Sequence, residues 1–210
     1  MFDRKAHWEK IYSDRDTPEL SWCRREPALS LQLISNARLA PDVPLIDIGG
    51  GASVLVDYLC AEGYTKLAVL DIFPGVLASV RRRFGEKAGR VEWLEADISR
   101  FHSPYRVSLW HDRAVFHFLT KASDRQGYVE ALKHTLAPNR QAIIAAFAPG
   151  GPTNCSGLDS VQYDAGKLSA EPGEGFALVE VQSEIPLTPV NREQKFGYLR
   201  FRKTGGSGRD

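Results

Sequence analysis

The chain is short of several things, and each shortage removes a class of function. It has three cysteines (Cys23, Cys60 and Cys155), odd in number, far apart and in no metal-ligand spacing. Neither a disulfide framework nor a metal site is therefore indicated. Excess charge of either sign is missing too: 27 Lys and Arg against 26 Asp and Glu leave a formal +1. That gives no basic field of the kind nucleic-acid binding needs. No run approaches the ~18 apolar residues of a membrane span. The opening "MFDRKAHWEK" lacks an apolar signal core and carries acids that a transit peptide avoids. The expected compartment is a reducing cytoplasm, with no nucleic acid, membrane or metal among the partners. Internal repeats and a second domain are absent as well. With 210 residues, 43% of them hydrophobic and 25% charged, the chain suits one soluble domain with a core of its own.

What is present is an alternation. From about residue 43 to 148, strand-like and helix-like stretches follow one another. "VPLIDI" is a buried strand. Val54, Leu55, Tyr58 and Leu59 then recur at helical spacing, with Gly63 as the C-cap. "KLAVLDI" is a second strand, and Pro74 opens a helix whose apolar stripe is Val76, Leu77, Val80 and Phe84. "RVEWLEADI" and "RVSLWHD" give strands three and four. Ser123 with Gln126 forms a capping-box pattern ahead of Tyr128, Val129, Leu132 and Leu136. "LAPNR" breaks that helix, and "QAIIAAFA" is a fifth strand, apolar on both faces as in a parallel sheet. The pattern predicts a doubly wound α/β fold. Residues 2–12 and 27–39 read as helices ahead of the first strand. Residues 149–157 read as a glycine- and proline-rich loop, "FALVEVQSEI" and "QKFGYLRFR" as an antiparallel pair, and 204–210 as a flexible tail.

In such a fold the loop after strand one lies at the switch point where ligands bind. Here that loop is "LIDIGGGAS", residues 45 to 53. A nicotinamide-binding loop wants G-x-G-x-x-G. Gly49, Gly50 and Gly51 are followed by Ala52, Ser53 and Val54, so the last glycine is missing. An acid, Asp47, stands two residues before the glycines instead. A carboxylate there would repel a pyrophosphate and attract a cationic amino-acid end. Asp71 ends strand two, where it can accept both hydroxyls of a ribose. Asp97 ends strand three, where it can accept from an adenine amino group, or else cap a helix. Three carboxylates at three strand ends suit an adenosine that carries an amino acid and no phosphate. S-adenosylmethionine is such a molecule.

"LIDIGGGAS", "LAVLDI", "EADI" and "LWHDRAVFHFL" resemble, in order and spacing, the motifs of class I S-adenosylmethionine-dependent methyltransferases. The resemblance implies a mostly parallel seven-stranded sheet whose last strand is antiparallel, preceded by an N-terminal helical lid. It divides one domain, 1–203, into a lid (1–40), a cofactor-binding core (41–148) and C-terminal strands (149–203). It also implies that Asp47, Gly49, Gly50 and Gly51 border the methionine part of the cofactor, Asp71 and Ile72 the ribose, and Asp97 and Ile98 the adenine. Trp22, in the lid, is expected to join them.

The acceptor is expected at the end of strand four, in "WHDRAVFHF". Asp112, His111 and His117 are the candidate catalytic groups there, because an acceptor that arrives protonated needs a base. The stretch resembles one found in protein-lysine methyltransferases, typically Asp-Lys-Gly, which also begin with aromatic residues like Trp8, Tyr12 and Trp22. Arg113 and Ala114 stand here where that pattern has Lys-Gly. A small-molecule branch of the same fold has a tryptophan-bearing lid too. Trp8, Trp22, Trp110, Phe116, Phe118 and Phe147 are predicted to line an apolar acceptor pocket, which tilts the expectation toward a small molecule. A protein lysine is the alternative acceptor. A non-catalytic binding module and an NAD-dependent oxidoreductase are more distant readings. Monomer and homodimer both remain open.

Overall fold

The computed structural model describes residues 5–7, 26–188 and 191–205. Helix α1 (Ala28–Asn36) leads into strand β1 (Leu45–Ile48), α2 (Leu55–Ala61), β2 (Leu67–Asp71), α3 (Pro74–Phe84), β3 (Val91–Glu95), β4 (Val107–Arg113), α4 (Ala122–Thr135) and β5 (Leu136–Phe147). A small hairpin of β6 (Asn154–Cys155) and β7 (Leu158–Asp159) follows. Helix α5 (Ala165–Ala170), β8 (Phe176–Glu184) and β9 (Phe196–Lys203) complete the chain. Seven strands form one sheet in the order β3-β2-β1-β4-β5-β9-β8. Strands β1 to β5 pair in parallel, and β9 runs antiparallel to both its neighbours. This is the predicted seven-stranded, doubly wound sheet with an antiparallel last strand. Among the described residues no helix is long and apolar enough to cross a membrane.

The order explains where a ligand can enter. The chain winds from β1 outward to β3, then returns to place β4 on the other side of β1. Helical connections therefore leave in opposite directions at β1 and β4, and a crevice opens beyond their carboxyl ends. Strand alternation decides what faces each layer. Leu45, Val69, Leu109 and Ile143 pack toward α1 and α2 with Leu33, Ile34 and Leu55. Ile46, Leu70, Trp110 and Ile144 pack toward α4 with Tyr128 and Leu132. By the same alternation Asp47 and His111, paired across β1 and β4, point to the α1 side, while Asp112, paired with Ile48, points to the α4 side.

Two local readings are corrected. The capping box at Ser123 and Gln126 does not form: α4 begins two residues earlier than it implies, with Lys121 at the N-cap and no side-chain cap. Arg125 instead donates to the carbonyls of Leu119 and Thr120, which holds the entry turn. Part of the 149–157 loop folds into the β6–β7 hairpin. Helix α5, only six residues long, left no periodic signal to read. Of the expected tail, Thr204 and Gly205 are described and the rest lies outside the described residues.

Candidate active site

The three glycines exist to let two carboxylates fold beneath their own loop. Gly49 takes φ 69°, a left-handed conformation that disfavours side chains, and a Cβ there would lie 2.2 Å from Val115 Cγ2. A Cβ on Gly50 would lie 2.3 Å from Asp47 Oδ2. One on Gly51 would lie 2.3 Å from Val76 Cγ1 and 2.8 Å from Asp71 Oδ2. The Gly51 amide donates to Asp71 Oδ2 at 3.2 Å, and Phe73 N donates to Asp71 Oδ1 at 3.0 Å. The loop and the end of β2 are thereby tied together through one buried carboxylate. Burial raises the Asp71 pKa to about 6, against the opposing pull of its backbone donors, and the nearby Asp47 adds a smaller push upward.

Asp47 is nearly fully buried and accepts from His111 Nδ1 at 2.7 Å through Oδ1. The other ring nitrogen, Nε2, pairs with the hydroxyl of Ser30 in α1, at 2.9 Å. The other carboxylate oxygen, Asp47 Oδ2, is buried with no hydrogen-bond partner among the described residues. A small cavity beside it is walled by Pro27, Gly49, Gly50, His111 and Arg113.

A larger cleft runs along the strand ends, about 830 Å³ including its open mouth. Gly49, Asp71, Ile72, Asp97 and Ile98 form one side, and Ala114, Val115, His117, Phe118, Phe147, Cys155, Gln194 and Phe196 form the other. Asp97 caps the short turn at Ile98–Arg100, accepting from Ser99 N at 2.9 Å and Ser99 Oγ at 2.8 Å. That turn carries Ile98 to the cleft wall, and α4 lies so close behind it that a Cβ on Gly127 would sit 2.0 Å from Ser99 O. Arg113 walls both cavities. Its Nε donates to Tyr198 Oη at 2.8 Å and its guanidinium lies over the Phe196 ring at 4.6 Å.

His117 is wholly buried, stacked on Phe147 at 4.0 Å with planes 9° apart. Phe147 N donates to its Nδ1 at 3.2 Å, and Nε2 has no partner among the described residues. Burial, and secondarily the charge of Arg113, lowers its pKa to about 3. The ring is thus neutral with its proton on Nε2, a donor and not a base.

Of the predicted residues, the structure brings Asp47, Gly49, Gly50, Asp71, Ile72, Asp97, Ile98, His111 and His117 to cavity walls. Gly51 acts one step back, through its bond to Asp71. Asp112 is corrected. It is fully buried, and its oxygens accept from Val115 N at 2.9 Å, Phe116 N at 3.2 Å and Tyr128 Oη at 2.8 Å. Burial raises its pKa to about 7. It braces the loop after β4 and does not face the cleft. Trp110 and Phe116 are corrected with it: both pack in the core against Tyr128, at ring separations of 5.5 and 4.8 Å. Trp8, Tyr12 and Trp22 lie outside the described residues. Gln194 and Phe196 were missed as cleft residues; they follow a long connection whose return to the site no local pattern announces.

Ala114 holds φ 76°, in the left-handed region, where β4 turns to bring Val115 against Gly49. A side chain there costs about 1–2 kcal/mol. Ala114→Gly is expected to stabilise the fold by about 0.5–1 kcal/mol after the added entropy of the unfolded chain is deducted. A melting temperature at or below wild type would show that the turn is not strained.

No protein-family model matches the chain, and no curated protein matches it either. Solved structures do match. An S-adenosylmethionine-dependent methyltransferase from Anabaena variabilis has a TM-score of 0.75 at 14% identity, covering 97% of this chain and 96% of that one. The N-methyltransferase NodS from Bradyrhizobium japonicum, in complex with S-adenosylhomocysteine, has a TM-score of 0.70 at 17% identity, covering 97% and 100%. The 1,6-didemethyltoxoflavin-N1-methyltransferase from Burkholderia thailandensis, with its substrate and S-adenosylhomocysteine bound, scores 0.69 at 18% identity, covering 96% and 84%. At these identities the likeness establishes the fold, that of class I methyltransferases.

Proposed function

We propose that this chain, with a class I methyltransferase fold, binds S-adenosylmethionine and transfers its methyl group to a small-molecule acceptor. The observation that carries the reading is the orphaned Asp47 Oδ2, buried beneath glycines at the switch point. A buried acceptor without a donor costs stability until a ligand supplies one. An ammonium supplies three, so the residues fit the amino-acid end of this cofactor. They do not fit a dinucleotide, whose pyrophosphate would meet a carboxylate. Asp71 would hold the ribose beside Ile72, and Asp97 with Ile98 the adenine.

When bound, the cofactor supplies a methyl group on a sulfonium, an electrophile with a good leaving group. The chain's own work is then alignment and exclusion of water. His111 acts as a positioning residue that fixes the Asp47 carboxylate. Val115, Phe118, Phe147 and Phe196 form a dry wall across the cleft from the carboxylates. Closure over the cleft falls to the N-terminal segment. Lys5 Nζ pairs with Glu95 at 2.5 Å on the β3 rim, and His7 Nε2 lies 2.8 Å from Ser156 O on the β6–β7 rim. Residues 5–7 thus tie together two opposite rims. The protein-lysine alternative leans on an Asp112 that faces the acceptor, and the burial of Asp112 favours the small molecule. So does the apolar wall of the cleft, since small-molecule sites are lined mainly by hydrophobic and aromatic side chains with a few polar groups.

Calorimetry tests the reading. S-adenosylmethionine and S-adenosylhomocysteine are expected to bind and NAD to give no heat; the reverse would revive an oxidoreductase. Labelled S-adenosylmethionine given with a size-fractionated lysate should label metabolites. Label in protein would overturn the small acceptor, and no turnover with any fraction would leave a binding module.

A further inference from the structure

Two polar groups in the cleft have no role in holding the cofactor, and both are left without partners. His117 Nε2 is buried and makes no hydrogen bond to any described residue. Its ring cannot turn to find one, because Phe147 N occupies Nδ1 and the Phe147 ring lies flat against it. The proton that Nδ1 cannot carry is therefore fixed on Nε2. Gln194 is only 5% exposed and lines the same cleft. Its backbone amide donates to Pro186 O, but its side-chain amide makes no hydrogen bond to any described residue. Around the two stand Phe118, Phe147 and Phe196.

We infer that His117 and Gln194 form the recognition edge of the acceptor subsite, and that the acceptor is a neutral, planar heteroaromatic molecule with a hydrogen-bond-accepting carbonyl or ring nitrogen. The inference rests on the methyltransferase reading and deepens it. Aromatic walls favour a flat body by offset or edge-on ring packing. The His117 N–H selects a lone pair on that body, and the Gln194 amide, with both donor and acceptor, pairs with whatever stands next to it. A protonated amine is rejected, since it would turn an N–H⁺ toward a fixed N–H with the Arg113 charge nearby. Selection of this kind is strong because a ligand without the lone pair leaves buried groups unpaired. His117 is therefore a specificity residue that touches the acceptor and takes no proton from it.

The test uses protein saturated with S-adenosylhomocysteine, titrated with 2-quinolone and with naphthalene, and followed by NMR of the labelled chain. The two probes share a size and shape, but only the quinolone carries a carbonyl beside an N–H. The quinolone is expected to bind roughly twenty-five-fold more tightly, each of two net hydrogen bonds contributing a factor of about five. His117→Phe keeps the ring stack and should cut the difference several-fold while leaving naphthalene unchanged. Gln194→Leu should do the same and serves if His117→Phe no longer holds S-adenosylhomocysteine. Equal affinities in the wild type, an undiminished difference in both variants, or binding of neither probe would overturn the inference. Failure of S-adenosylhomocysteine to bind the wild type would instead overturn the reading beneath it.

Discussion

Replacing Asp112 with alanine should lower the melting temperature by roughly 8–16 °C, corresponding to a loss of about 4 kcal/mol in a chain of this length. The carboxylate accepts from three buried donors: the amides of Val115 and Phe116 and the hydroxyl of Tyr128. Each donor left unpaired costs about 1–3 kcal/mol, and some relaxation will recover part of the sum. Tyr128 in turn accepts from Trp110 Nε1 at 2.8 Å, so the loss spreads into the core. A pH signature accompanies it. The folded pKa of Asp112, about 7, lies above the ordinary aspartate value of 3.8, as does that of Asp71 at about 6. The native state therefore holds protons that the unfolded chain releases. The stability due to this difference is complete below pH 4 and is lost as pH rises through 6 to 7. Asp112→Asn cannot titrate, so its stability should fall less steeply across that window. An alanine variant melting within about 2 °C of wild type would remove Asp112 from the framework of the fold.

The second large effect belongs to Asp71→Asn, which should weaken S-adenosylhomocysteine binding by on the order of a hundredfold to ten-thousandfold. Two charge-assisted bonds to ribose hydroxyls, at about 1.5–3 kcal/mol each, set that range. The side chain is already aligned, because Gly51 N and Phe73 N hold one oxygen each and leave further lone pairs toward the cleft. Asparagine presents an N–H₂ to one of those amides and misplaces both. The pKa of about 6 adds a direction. Hydroxyl donors favour the carboxylate over the acid, so binding releases a proton, and affinity should fall as pH drops below 6. In the asparagine variant that dependence should vanish. Calorimetry of both proteins at pH 5 and pH 8 reads both effects, and a variant within about threefold of wild type at pH 8 would exclude Asp71 as the ribose ligand.

The parts of the site that could be read in the sequence are those fixed by local chemistry. Asp47, Asp71 and Asp97 stand at strand ends, Asp47 just ahead of the glycines, so their position along the strand already defines them. Asp112 was misread because proximity in sequence was taken for proximity in space. Alternation along β4 sends His111 and Asp112 to opposite faces, and that rule is itself legible in "LWHDR". His117 was found, but its chemistry was not, because the bond from Phe147 N that fixes its proton joins residues 30 apart. Gln194 and Phe196 reach the cleft only because β9 inserts between β5 and β8, a pairing set by tertiary packing. The Arg113–Ala114 pair looked like a simple departure from Lys-Gly; φ 76° at Ala114 shows that the backbone keeps the shape glycine would take.

The chain of contacts from Ser30 through His111 to Asp47 makes the seating of α1 and the occupancy of the glycine loop a single thermodynamic quantity. A ligand that engages Asp47 can do so fully only while His111 holds the carboxylate, and His111 is held by the first turn of α1. Whatever factor a seated α1 adds to ligand affinity, the ligand must return to the seating of α1. The segment leading into Pro27 is thereby informed of an event at the strand ends without touching the ligand, and reciprocity, not mechanical closure, is the reason.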